Sequence, residues 1–360
     1  MSSWPEWLPL NTRLRPLSPY GAPQLPAEAI LNTNENPFAI SENLARALSQ
    51  RIEVVARNLN RYPDRDAIKL RSGLAKFING LSATDFTEAN IWAANGSNEI
   101  IQSLFLAFGE NGAIGFTPSY SMHPLIARVT NTEWIDGNRR SDFTLDVGRE
   151  IEQIKERQPA LTFITTPNNP TGTSLSIGEI ESLAKSVPGL LVVDEAYAEF
   201  SDETSAVTLI DRYPNVVVIR TMSKAFSFAG VRLGYLVADP AVVNALFLVR
   251  LPYHLSSITQ AAGEVALEYQ GELLGNVATL VANREEVRRQ LEALGLVVVP
   301  SKANFLLFSG FDIPAAELWK GLLDAGVLIR DVGLSGYLRV TIGSEADNNL
   351  FISALTRLLK

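Results

Sequence analysis

Three side chains of complementary chemistry stand near one another in the sequence: the carboxylate of Asp194, the amine of Lys224 thirty residues later, and the guanidinium of Arg232 eight residues beyond that. Ser223 and Thr221 place hydroxyls beside the amine. A lysine held among fixed positive charges has a lowered pKa, and a free amine condenses with a carbonyl to form an imine. A carboxylate in a dry site can hold a heterocyclic nitrogen protonated, and an arginine fork flanked by hydroxyls suits a phosphate. Together these are the needs of pyridoxal 5'-phosphate: an amine for its aldehyde, an acid for its ring nitrogen, and cations and hydroxyls for its phosphate. Each residue also has a plainer reading. A lysine after a strand is usually a solvated charge, and an aspartate at a strand end often caps the next helix.

The elements that must position these groups favour the chemical reading. Four short apolar runs read as buried parallel strands: Ile91–Ala94, Leu161–Ile164, Leu190–Val193 and Val216–Ile219. They lead respectively into Gly96-Ser97-Asn98-Glu99, Asn168-Asn169-Pro170-Thr171-Gly172, Asp194 and Ser223-Lys224. Open α/β sheets bind ligands outside the carboxyl ends of their strands, so four distant motifs are expected at one crevice. Strand and helix patterns alternate from about Ser41 to Val237, which predicts an α/β fold with a mainly parallel, doubly wound sheet. Helices are expected near 41–59 and 66–79. After Pro252 long helical stretches take over, followed by strand candidates at 296–299, 305–307, 327–330 and 337–341 that alternate with helices at 315–325 and 344–359. That texture predicts a second, smaller α+β domain. The expected division is an amino-terminal arm (1–30), a large domain (31–255) whose first residues contribute to the small one, and a small domain (256–360). The arm carries six of the nineteen prolines.

Further residues at the same strand ends extend the site. Ser97 and Asn98 open a helix, where unpaired N–H groups and the helix dipole attract an anion, although the same residues also serve as plain caps. The Asn169 amide can donate to the cofactor's phenolate oxygen, and Tyr197, one turn after Asp194, can reach the same atom. Tyr120 can stack on the pyridine face, or simply pack. Arg339, within the strand-like run Tyr337–Thr341, is costly to bury unless an acid or an anionic ligand pairs with it; a substrate carboxylate fits. Arg330 is placed in the same way and forms a second candidate anion site.

Composition narrows the classes. The chain has 360 residues, 46% of them apolar and 19% charged, with a net charge of −8, so a folded protein without a phosphate-backbone footprint is expected and nucleic acid is not an expected partner. The absence of cysteine removes disulfides, thiolate metal sites and thiol nucleophiles, and the two histidines, His123 and His254, lie in no ligand-spaced motif, so no metal is expected. The first residues lack the basic flank and apolar core of an export signal, and the apolar stretch 241–251 is interrupted by Asn244 and Arg250. No membrane association is expected, and the expected location is cytoplasmic.

Taken together the motifs resemble the fold-type I pyridoxal-phosphate aminotransferases over residues 14–360. Within them Asn34-Glu35-Asn36-Pro37, Arg61-Tyr62-Pro63-Asp64, Gly96-Ser97-Asn98-Glu99, Asn168-Asn169-Pro170-Thr171-Gly172, Asp194-Glu195-Ala196-Tyr197 and Arg220-Thr221-Met222-Ser223-Lys224-Ala225-Phe226 resemble the histidinol-phosphate aminotransferase family. Ser18–Pro23 and Leu251–Ser257 resemble its actinobacterial branch. The resemblance implies Lys224 as the cofactor's lysine, Asp194 on the ring nitrogen, Asn169 and Tyr197 on the phenolate oxygen, Tyr120 over the ring, and Ser97, Asn98, Ser223 and Arg232 at the phosphate, where the hydroxyl of Thr221 is a further candidate. It implies a homodimer in which Tyr62 reaches the neighbour's cofactor phosphate. For substrates it implies Arg339 and Arg330 as anion sites that take phosphate in one half-reaction and carboxylates of glutamate or 2-oxoglutarate in the other. Asn34 belongs to the same substrate set, and Tyr20, Tyr120 and Tyr253 would enclose an imidazole. Met222 and Asn98 stand where many relatives carry a leucine and an acid. The same cradle also serves threonine-phosphate decarboxylation and the transamination of aromatic or general amino acids. An aminotransferase-like regulator would need an appended DNA-binding unit, which the segment before Asn32 is not expected to supply.

Overall fold

The computed structural model describes residues 4–19 and 21–360. Its central sheet has seven strands in the spatial order Ile91–Ala94, Gly234–Val237, Val216–Thr221, Leu190–Asp194, Leu161–Thr165, Ala113–Thr117, Trp134–Asn138. Pairings from Val216–Thr221 to Trp134–Asn138 are all parallel. Gly234–Val237 is antiparallel to both of its neighbours, so Ile91–Ala94 again points the same way as Val216–Thr221. All four motif-bearing strands therefore end at one edge of the sheet, as their sequence positions lead one to expect.

These strands are continuous apolar runs because both faces of the sheet are covered. Alternate residues of a strand enter different cores. Leu191, Val193, Val216 and Val218 join one cluster, while Val192, Val217 and Ile219 join the other, with Trp92, Phe105 and Phe163. A polar residue at the end of such a strand continues the alternation, which settles which face it serves.

The carboxyl-terminal third forms a three-stranded antiparallel sheet, Leu338–Thr341, Phe305–Ser309 and Val297–Val298, with helices Gln270–Ala293, Ala315–Asp324 and Glu345–Leu358. The expected strand 327–330 divides. Val327–Leu328 pairs in parallel with Ala29–Ile30, and only Arg330 turns to bridge Arg339. Chain from the beginning of the sequence thus enters this sheet region, which no local pattern at 327–330 could announce. The two early helices run Glu42–Ala56 and Ile68–Ser82. Ser41 sets the first by accepting from Leu44 N–H at 3.2 Å. Before the second, Asp64 accepts from the N–H groups of Asp66 and Ile68 at 3.1 and 3.0 Å, which delays its start.

Candidate active site

The strand ends open into a crevice of about 490 Å³, in the range of small-molecule sites. Its lining brings together Lys224, Asp194, Tyr197, Asn169, Tyr120, Ser97, Asn98, Thr221, Ser223, Arg232, Asn34, Arg330 and Arg339.

At one end lies an anion cradle. Gly96 has φ +80°, and a Cβ there would stand 2.7 Å from Arg232 Nη2, so only glycine lets the guanidinium lie against this turn. The helix Ser97–Phe108 follows, and among the described residues no side chain caps its first N–H groups. Across from it, Thr221 Oγ1 donates to Ser223 Oγ at 3.1 Å and accepts from Ser223 N–H at 3.2 Å, which directs both hydroxyls to the same place. Tyr120 O–H donates to Asn98 Oδ1 at 3.1 Å, which brings the ring to this end of the crevice.

At the other end Asp194 is buried, accepting from Ala196 N–H at 3.2 Å, with Oδ2 3.2 Å from His123 Nε2. His123, also buried, lies edge-on to Tyr120 with ring centroids 5.4 Å apart. It escaped sequence reasoning, which weighed the histidines only as metal ligands; its place one turn after Tyr120 was the available signal. Between the two ends sits half-buried Lys224, whose Nζ donates to Thr33 O at 2.9 Å. Desolvation, then Arg339 and Arg232, pull its pKa down to about 8, against an opposing effect from Glu35. The lowering agrees with the sequence expectation, but burial rather than neighbouring charge is its main cause.

Tyr197 is buried with its hydroxyl accepting from Asn34 Nδ2 at 2.9 Å and from Asn169 Nδ2 at 3.3 Å. Asn34 Oδ1 in turn accepts from Thr341 Oγ1 at 2.9 Å. Arg339 is buried over the Phe305 ring, 5.1 Å from its centroid, and donates to Asn169 Oδ1 at 2.5 Å and Asn32 O at 2.8 Å. The Arg330–Arg339 backbone pairing, 3.0 and 2.9 Å, sets the second guanidinium beside the first on the crevice wall. Asn32, Thr33, Asp331 and Val332 also line the crevice and were missed, because nothing in their local patterns marks them; Glu35, which lines it too, stood within the Asn34–Pro37 motif but was given no role.

One expected aromatic wall lies elsewhere. Tyr253 stacks on Tyr62 with centroids 4.5 Å apart, outside the crevice lining. His254, its neighbour, bonds Ala93 O at 2.9 Å and so holds this segment at the outer edge of the sheet. Tyr20 lies outside the described residues. The donor set nevertheless fits pyridoxal phosphate: a glycine-floored anion cradle, a buried acid for a ring nitrogen, and an amine between them.

A sequence model of the aminotransferase class I and II family matches residues 29–355. The chain is 54% identical over 355 residues to a histidinol-phosphate aminotransferase of Mycobacterium marinum, covering 98% of this chain and 92% of that one. It is likewise 54% identical over 356 residues to one of Nocardia farcinica, with the same coverages. A crystal structure of a histidinol-phosphate aminotransferase from Sinorhizobium meliloti, in complex with pyridoxal-5'-phosphate, shares the fold with a TM-score of 0.85 at 24% identity, covering 99% of this chain and 98% of that one.

Proposed function

Since this chain belongs to the class I and II aminotransferases, we propose that it transfers the amino group of L-histidinol phosphate to 2-oxoglutarate, giving imidazole acetol phosphate and glutamate, with pyridoxal 5'-phosphate as cofactor. The observation that carries the reading is the meeting of Lys224, Asp194 and the Gly96–Arg232 anion cradle in one crevice that also holds Arg330 and Arg339. Bound there, the cofactor supplies a carbonyl for the amino group and a protonated ring that accepts the electron pair left when a proton leaves the substrate Cα.

The chain's own residues do the rest. Ser97, Asn98, Thr221, Ser223 and Arg232 hold the phosphate, and Asp194, buttressed by His123 and Ala196 N–H, keeps the ring nitrogen charged. Tyr197 and Asn169 reach the phenolate oxygen, and Tyr120 covers the ring. Lys224 Nζ removes the Cα proton of the donor and, in the reverse half, returns one to the acceptor-derived carbon; its pKa of about 8 keeps the free base accessible near neutral pH. Arg330 and Arg339 take the donor's phosphate in one half and the carboxylates of glutamate and 2-oxoglutarate in the other, with Asn34 steadying the same wall.

The working unit we propose is a homodimer. Tyr62, Leu248 and Leu251 are 80%, 86% and 75% exposed, a cost that a partner surface would remove. The Arg250 guanidinium binds Asp66 and Arg65 O, which draws the 251–253 segment and the Tyr62 turn together. Tyr62 from this face completes the neighbour's phosphate site, and Tyr253 from the same face walls the imidazole. No described helix is long and apolar enough to cross a membrane, and we place the enzyme in the cytoplasm. The arm 1–30, large domain 31–255 and small domain 256–360 remain our division of the chain, with the first residues of the large domain contributing to the small one, a reading supported by the hydrogen bonds of Leu31 N–H to Leu328 O at 2.7 Å and of Thr341 N–H to Leu31 O at 2.9 Å.

The test is a half-reaction panel on cofactor-loaded protein. Histidinol phosphate should bleach the visible chromophore, and 2-oxoglutarate should restore it with release of glutamate. Carbon dioxide release from threonine phosphate without glutamate formation, or equal turnover of aromatic amino acids, would replace this reading.

A further inference from the structure

Directly behind the crevice lies a buried ionic cluster that the proposed chemistry does not touch. Glu195 follows Asp194 and Arg220 precedes Thr221, so strand alternation sends both to the opposite face of the sheet. Arg220 Nε and Nη2 grip Glu195 Oε2 at 2.9 and 2.8 Å, and Nη1 grips Glu199 Oε1 at 2.9 Å. Ser205 closes the cluster, accepting from Arg220 Nη2 at 3.0 Å and donating to Glu195 Oε2 at 2.7 Å, while Ala206 N–H donates to Glu195 Oε1 at 2.7 Å. Burial pushes the Glu199 carboxyl up against the pull of Arg220, and Tyr235 O–H, buried on the same face, is the other titratable group acting on the guanidinium. One guanidinium therefore serves two buried carboxylates.

What lies between those carboxylates gives the cluster its meaning. Glu195 and Glu199 bracket Tyr197, whose hydroxyl reaches the crevice on the other side and meets Asn34 and Asn169. The turn Glu195–Glu199 is thus held at both ends by one planar fork, with the phenol at its middle.

Resting on the function proposed above, we propose that Arg220 is a positioning residue: by gripping Glu195 and Glu199 together it fixes the phenol of Tyr197 relative to Asp194 and Lys224. A lysine at 220 presents one compact ammonium and cannot span both carboxylates as the fork does. The turn then slackens while the buried charge is kept.

The readout is the pH titration of the lysine-bound visible chromophore in cofactor-saturated protein, with thermal stability measured alongside. A phenol donating to the cofactor's phenolate oxygen favours the unprotonated chromophore, so slack at Tyr197 raises the chromophore's pKa. We expect Arg220→Lys to raise it by about one unit, a tenfold change in proton affinity. Glu199→Ala, which frees the far end of the turn, should move it the same way, and Glu199→Gln, which keeps an acceptor for Nη1, should return it close to wild type. Tyr197→Phe should raise it alone, and Arg220→Lys should add nothing in that background, because both changes act through one hydroxyl. An unmoved chromophore pKa in both Arg220→Lys and Glu199→Ala, or a fully additive shift in the double variant, overturns the proposal. So does loss of the chromophore in both variants while Tyr197→Phe retains it, since Arg220 would then serve folding alone. A wild-type protein without a lysine-bound chromophore overturns the proposed function instead.

Discussion

Replacing Lys224 by methionine asks what the crevice costs its own amine before any cofactor arrives. In the folded cofactor-free protein Lys224 has a pKa of about 8 against an ordinary value of 10.5. The unfolded chain therefore binds more protons between those values, and wild-type stability rises with pH across that window. Below about pH 8 the whole penalty of holding a charged amine in the crevice is present: a difference of about 2.5, at about 1.36 kcal/mol each, is about 3 kcal/mol. Methionine removes that penalty and gives up the hydrogen bond to Thr33 O, which is worth about 1 kcal/mol. Cofactor-free Lys224→Met should thus be more stable than wild type by about 2 kcal/mol at pH 7. By pH 10 most of the penalty has gone, the lost hydrogen bond offsets the remainder, and the two proteins should unfold within about 0.5 kcal/mol of each other. Urea unfolding of both proteins at the two pH values measures this, provided the slopes agree. A variant less stable than wild type at pH 7, or a gap that does not shrink with pH, would refute the lowering of the Lys224 pKa by the crevice.

Asp194→Asn keeps the shape of the carboxylate but not its charge, so the protein should still capture cofactor on Lys224, seen as a borohydride-fixed adduct by peptide mapping, while turnover falls by about 10²–10³-fold; near-normal turnover would give the ring nitrogen another partner. Arg330→Ala should lower kcat/KM for histidinol phosphate by about 10- to 100-fold and that for histidinol far less, as expected for loss of a charge-assisted pair worth about 1.5–3 kcal/mol; equal losses would remove the phosphate from Arg330. Mixing inactive Tyr62→Ala with inactive Lys224→Ala subunits should restore activity through heterodimers holding one intact site, and verified heterodimers without activity would take Tyr62 out of a shared site.

By itself the sequence determined what local chemistry controls. Strands buried on both faces must be continuous apolar runs, which made Leu190–Asp194 and Val216–Thr221 readable, and a parallel sheet delivers whatever follows its strands to one edge. Asp194, Ser97, Asn169 and Lys224 were accordingly legible as one site before any contact was known. Tertiary structure alone decided what depends on distances between remote parts of the chain. Thr33 O meets Lys224 Nζ across 191 residues, and His123 meets Asp194 across 71. The strand expected at 327–330 was divided because Ala29–Ile30, from the far end of the chain, occupies its edge. Tyr62 and Tyr253 face outward because their turns are pinned to each other and to the sheet's outer edge. The physical reason is one of range: periodicity and capping act over a few residues, whereas desolvation and side-chain pairing depend on which helices and strands pack together, and that is settled only when the whole chain has closed around its two cores.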